Sequence, residues 1–330
     1  MSAARRWIAL ASAVLLALLV AATSLFLGVR GLDPAEVLRA ITGSAGGVDE
    51  LVVLGLRLPR ALIGIAAGAA LGVSGAVIQS ITRNPIADPG LLGVNAGASV
   101  GIVVAISAFG ITRPLGYIWF GFAGAAAAAL LVYVVARGRR GPSPLTLTLA
   151  GAAVTAALAS LVSLVLLRDL DTLGQYRFWS VGSLVGRGTD VLAALAPFLL
   201  AGGALVVLVA GSLNLLALGD DVARGLGGRL GLVRAGAAAA VVLLCGSATA
   251  IAGPLAFVGL VVPHVARRLV GVDERWVLAL SAPLGAALLV LADVVGRLVV
   301  PPGELEAGVV VAVVGAPVLI ALVRRRGVLA

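Results

Sequence analysis

The 330-residue sequence contains no lysine; its 24 basic residues are all arginine. It has one cysteine, Cys245, and one histidine, His264. Without lysine a P-loop cannot be built, because that motif sets a lysine against the phosphates. One cysteine excludes an intrachain disulfide framework and a cysteine-based metal site, and one histidine excludes a histidine cluster. No Ser/His/Asp triad and no paired catalytic carboxylates can be assembled, so the chain does not read as an enzyme. Charge is scarce: 12% of residues carry it, against about 25% in a soluble domain.

What is present is apolar. Such residues make up 61% of the chain, and the mean hydropathy is +1.16. A helix needs about 20 apolar residues to cross the hydrocarbon core. Ten runs approach or meet that length: 7–29, 58–81, 90–108, 115–136, 145–167, 191–211, 230–251, 256–270, 276–295 and 305–323. The run 256–270 is short and carries Pro263. The first run follows Arg5 and Arg6 and ends on small residues, as a signal peptide does, but its length reads as an uncleaved span. The expectation is an all-α, polytopic membrane protein of about ten helices, with residues 1–330 forming one domain.

Arginine placement sets the orientation. With the N-terminus inside and the spans alternating, 15 of the 24 arginines and five of the 15 acids face the cytoplasm, +10 against −1 outside. That bias obeys the positive-inside rule and puts both termini in the cytoplasm. It also accounts for the net charge of +9 without nucleic acid as a partner. Trp7, Trp119, Trp179 and Trp276 all fall near span ends, where interfacial aromatics belong.

Three loops carry patterns. Asp33-Pro34-Ala35-Glu36 reads as a capped helix start. Gln175-Tyr176-Arg177-Phe178-Trp179 is an amphipathic stretch suited to the membrane surface. The main cytoplasmic loop, 214–229, holds Gly219-Asp220-Asp221-Val222-Ala223-Arg224-Gly225-Leu226-Gly227, acids at one end and glycine at the other, as in a short capped helix. Glycine and alanine four apart, as in Gly64-Ile65-Ala66-Ala67-Gly68, suit close helix packing. A faint echo links Arg60, a Gly/Ala run and Pro85 to Arg234, a Gly/Ala run and Pro254, in spans of opposite direction.

Nearly every ionisable group falls at a span end or in a loop. A proton-coupled carrier keeps acids or histidines near the midplane, so a gradient-driven carrier is the weaker alternative. Asp293 and Arg297, four apart near the outer end of one span, also read as a local pair. If ATP drives transport, the nucleotide site belongs to another polypeptide, and the 214–229 loop is the natural place for it to dock.

Six stretches, in order, resemble the permeases of ABC importers for iron-siderophores, haem and vitamin B12: Arg57-Leu58-Pro59-Arg60; 75–79; 84–93; 215–227; Gly253 through Pro263-His264; and Gly315-Ala316-Pro317. The ferric-siderophore branch is the nearest in pattern, with vitamin B12 or haem as alternatives. The resemblance implies a homodimer or a pair of homologous permeases, two ATPase subunits holding ATP and Mg, and an extracytoplasmic substrate-binding protein. It implies no cofactor or metal in this chain. It maps docking of the binding protein onto Arg57, Arg60 and Arg297, whose forks suit carboxylates; snorkelling is the bland alternative for Arg57 and Arg60. ATPase coupling maps onto Leu218, Gly219, Asp220, Asp221, Val222, Ala223, Arg224, Gly225, Leu226 and Gly227. The path or its gate maps onto Gln79, Asn84, Pro85, Asp88, Pro263 and His264, with a structural role for His264 favoured over ligation.

Overall fold

The computed structural model describes residues 2–43, 47–138, 141–217, 219, 223, 225 and 230–325. These residues are helical apart from short connections and one ladder in which Arg137 pairs with Pro142. The helices are α1 (Ala3–Phe26), α2 (Pro34–Ile41), α3 (Gly47–Glu50), α4 (Leu58–Thr82), α5 (Val94–Phe109), α6 (Pro114–Ala136), α7 (Pro144–Arg168), α8 (Leu170–Ser180), α9 (Thr189–Ala217), α10 (Leu230–Ala252), α11 (Val258–Val270), α12 (Glu274–Val299) and α13 (Ala307–Arg325). Each of the ten apolar runs corresponds to one helix. Seven of the described helices are long and apolar enough to cross a membrane.

The helix start expected at Asp33 is a capping box. The Ala35 amide donates to Asp33 Oδ1 at 2.8 Å, and the Asp33 amide donates to Glu36 Oε2 at 2.9 Å. α3 runs on through a π-type segment, Leu51–Arg57, into α4. The wider turn aims Arg57 into the protein, leaving it 5% exposed.

α4 lies at the centre, packed against α9, α10, α11 and α12. Its small-residue stripe makes this possible. A Cβ on Gly68 would overlap the Gly285 carbonyl of α12, and one on Gly75 would overlap the Gly259 carbonyl of α11. In lipid, such backbone approach is a main source of helix association.

Two helices are shorter than the runs that announced them. α5 has 16 residues and α11 has 13, about 24 and 20 Å at 1.5 Å per residue, short of the roughly 30 Å core. Each begins inside the bundle after a break. Segment 83–93 leaves α4 through Arg83 at φ 51 and enters α5 through Gly93 at φ 72. Segment 253–257 leaves α10 through Gly253 at φ 81 and ends at Phe257 at φ 67. The echo between the two runs thus corresponds to two packed helices, α4 and α10, each followed by a left-handed residue and a broken stretch. Irregular backbone at such depth is tolerated where protein surrounds it.

One expectation is corrected. The 175–179 stretch does form part of a helix, α8, but Trp179 is turned inward at 2% exposure and donates from Nε1 to the Ala250 carbonyl at 3.4 Å.

Candidate functional site

At the end of the bundle that carries Arg57, five charged side chains converge. Arg60 donates from Nε to Asp293 Oδ1 at 2.9 Å, and its Nη2 lies 2.7 Å from Glu304 Oε2. Arg297 pairs with the other oxygen of Asp293, with Nε at 3.0 Å, and also donates to the Ser24 carbonyl at 3.0 Å. Arg57 donates to the carbonyls of Leu25, Phe26 and Arg30 at 2.8, 3.0 and 2.5 Å. The arginines therefore satisfy the last carbonyls of α1 and clamp it to α4 and α12. Arg297 and Asp293 are 2% and 1% exposed. Arg57, Arg60 and Arg297, onto which the resemblance maps docking of the binding protein, thus have donors engaged within the chain. The pairing of Asp293 with Arg297 is as the spacing suggested, and Arg60 and Glu304 extend it. Nothing in the spacing of Glu304 announces this contact.

At the opposite end, which carries Arg6, the first break and the start of α11 meet at Gln79. Its Nε2 donates to the Gly259 carbonyl at 3.1 Å and reaches the Ala87 carbonyl at 3.4 Å. Arg267 of α11 donates to Gln79 Oε1 at 2.5 Å, and its other terminal nitrogen lies 3.3 Å from Glu274. Gln79 thus ties the first break to α11 and, through Arg267, to α12. Asp88 caps the short 3-10 turn Pro89–Leu92 by accepting from the Gly90 amide at 2.8 Å. Asn84 caps its own turn through the Ile86 amide at 3.1 Å. Pro85 and His264 line an open cavity of about 510 Å³ with Gln79, Arg83, Arg267 and Glu274. His264 is 8% exposed beside Pro263, which lies within α11. Of the six path candidates, Gln79, Pro85 and His264 share this cavity; Asp88 lies deeper and Pro263 is buried. No group of three His, Cys, Asp or Glu able to hold a metal occurs among the described residues.

The base of the 214–229 loop is anchored on two sides. Asn214 donates to Asp273 Oδ1 at 3.1 Å and accepts from the Glu274 amide at 2.9 Å. Arg83, at the end of α4, donates to the Leu216 carbonyl at 2.9 Å. Within the loop, Gly219 has φ +102 and accepts from the Ala223 amide at 3.0 Å, one helical turn; Ala223 is buried and Gly225 exposed. Leu218, Asp220, Asp221, Val222, Arg224, Leu226 and Gly227 lie outside the described residues. Asn214 was missed in the sequence, though it is a lone amide in an otherwise apolar stretch.

The FecCD transport family profile matches residues 15–325. The chain is 46% identical to the ferric enterobactin transport system permease protein FepD of Escherichia coli K12, over 98% of this chain and 97% of that one. It is 41% identical, with the same two coverages, to the probable siderophore transport system permease protein YfiZ of Bacillus subtilis 168. A solved metal-chelate type ABC transporter in an inward-facing conformation superposes with a TM-score of 0.84 at 27% identity, over 97% of this chain and 99% of that one.

Proposed function

The chain belongs to the FecCD transport family, and we propose that it is the membrane-spanning permease subunit of an ABC importer for ferric siderophores. The observation that carries this reading is the near-complete span of its likeness to a ferric enterobactin permease, 98% of the chain at 46% identity. The lack of lysine agrees, since ATP and Mg must then sit on partner ATPase subunits.

The arginine bias supports placing the Arg6 face in the cytoplasm, with both termini there and the bilayer around the bundle. Two ATPase subunits then press on the 214–229 loop. Its base holds α12 through Asn214 and α4 through Arg83, so displacement of the loop moves both helices. Those helices also carry Gln79 and Glu274, which Arg267 of α11 joins, and rocking them opens or closes the path beside that junction.

The Arg57 face then meets a substrate-binding protein. Arg57, Arg60 and Arg297 are balanced by two carboxylates, Asp293 and Glu304, leaving one surplus positive charge. Glu304, at 30% side-chain exposure, is the accessible member. A carboxylate from the binding protein can take its place at Arg60 without unpairing Asp293. A second copy, or a homologous permease, fits α7, which exposes Ala156, Ala159, Ser160 and Ser163, a small and polar face suited to close helix contact or to lining the path.

Co-expression tests the assembly. The permease should retain a P-loop ATPase on purification, and the complex should take up radio-iron siderophore only with ATP. Uptake by this chain alone, driven by a proton gradient, would refute the proposal.

A further inference from the structure

Beside the charged cluster, on the same Arg57 face, a cavity of about 460 Å³ opens between α6, α8 and the 183–187 connection. Its walls are aromatic: Tyr117 of α6, and Phe178 and Trp179 of α8. Tyr117 and Trp179 are 6% and 2% exposed, whereas Phe178 is 61% exposed at the mouth. Arg187 lies 5.8 Å from the Tyr117 ring centroid. Its Nε donates to the Ile251 carbonyl at 2.8 Å, which fixes the guanidinium plane. Its two terminal nitrogens have no hydrogen-bond or ion-pair partner among the described residues. Gln175 and Glu306 supply a polar rim, and Glu306 forms no ion pair with Arg187.

A cationic fork held in place with free donors, beside the Tyr117 ring in a cavity that two more rings line, suits a flat aromatic group carrying negative charge. The rings offer π-faces, and the guanidinium offers paired donors to adjacent oxygens. The cavity lies within the usual range for small-molecule sites but at its small end, so it takes one arm of a large ligand rather than the whole. We propose that this cavity is a receiving subsite for an aryl arm of an anionic iron chelate of the catecholate type, with Arg187 reading the oxygens and Tyr117, Phe178 and Trp179 stacking on the ring. The inference rests on the siderophore reading and narrows it to a chelate class. Specificity arises because a non-aromatic, neutral hydroxamate chelate gains neither the stacking nor the charge.

The test uses the full permease with its ATPase and binding protein in proteoliposomes, and two radio-iron probes, a ferric tris-catecholate and a ferric tris-hydroxamate. In Arg187→Gln, catecholate uptake should fall about tenfold at sub-saturating chelate, as loss of one charge-assisted contact implies. Hydroxamate uptake, ATPase co-purification and binding-protein docking should be unchanged. Arg187→Lys keeps the charge but loses the fork and the Nε bond to Ile251, and its catecholate uptake should lie between those of the wild type and Arg187→Gln; equilibrium dialysis of the catecholate against the permease alone should follow the same order. Equal loss of both chelates, full recovery in Arg187→Lys, or a loss traced to binding-protein docking overturns the subsite. If both chelates are imported and Arg187→Gln alters neither, the subsite is wrong while the importer stands. If the wild-type complex imports neither, the importer reading falls and the subsite with it.

Discussion

Asp293 accepts from Arg60 and Arg297 while itself almost wholly buried. Replacing it leaves two guanidinium groups inside the protein without their shared counter-charge. Asp293→Ala should therefore destabilise the chain by about 3–5 kcal/mol, the usual cost of breaking a buried pair from one side. Glu304→Gln removes a partly exposed partner and should cost no more than about 1 kcal/mol. Thermal unfolding in detergent measures both, and equal shifts would contradict the asymmetry. A second residue acts through pH. Asp169 caps α8; the Thr172 hydroxyl and amide, then the Asp171 amide, hold its carboxyl below the usual carboxylate range. A lowered pKa means the cap contributes above the ordinary carboxylate value and is lost as pH falls through the lowered one. Amide protection factors in α8, taken relative to the intrinsic exchange rate at each pH, should fall at acid pH in the native protein and already be low at neutral pH in Asp169→Ala; an unchanged pH profile in the variant would exclude the cap as the cause.

The two broken stretches give the elements their behaviour. Asp88 caps the turn before α5 from inside the bundle, and asparagine can accept the same amide proton. If Asp88 is a cap, Asp88→Asn should keep ATP-driven uptake within about twofold, whereas Asp88→Ala should lose most of it, as cap removal implies. If Asn abolishes uptake in an assembled complex, the carboxyl itself is required and proton coupling returns as a reading. At the other end, Asn214→Ala removes both hydrogen bonds that tie the 214–229 loop to α12. The ATPase should still co-purify and hydrolyse ATP, but uptake should drop about tenfold, as lost coupling of about 1.4 kcal/mol implies. Proportional loss of hydrolysis and uptake would place Asn214 in docking instead. These elements also mark the limit of sequence reading. The ten runs were legible because a helix in lipid must satisfy its own backbone over a set length. The shortness of α11 was legible too, in a short run carrying Pro263, but that of α5 was not, because Gly90 to Leu92 is as apolar as the helix it precedes. The arginines were legible as an interesting group, but their burial depends on carbonyls of α1 and a carboxylate 233 residues away.

At the scale of the whole molecule, one face gathers the charged cluster and the aromatic cavity, and the opposite face gathers the 214–229 loop and the Gln79 junction. α4 spans the distance between them, closely packed through glycine along its length. That arrangement fits a rigid lever better than a flexible gate, since close-packed helices move as bodies. The central claim is that this chain moves a ferric siderophore with energy borrowed from a partner. The direct measurement is radio-iron siderophore uptake into proteoliposomes holding the permease, its ATPase and its binding protein, with ATP inside or omitted. The account predicts uptake that requires ATP and all three components, and that persists when the proton gradient is collapsed. Uptake that continues without ATP and stops when the gradient is collapsed would contradict it.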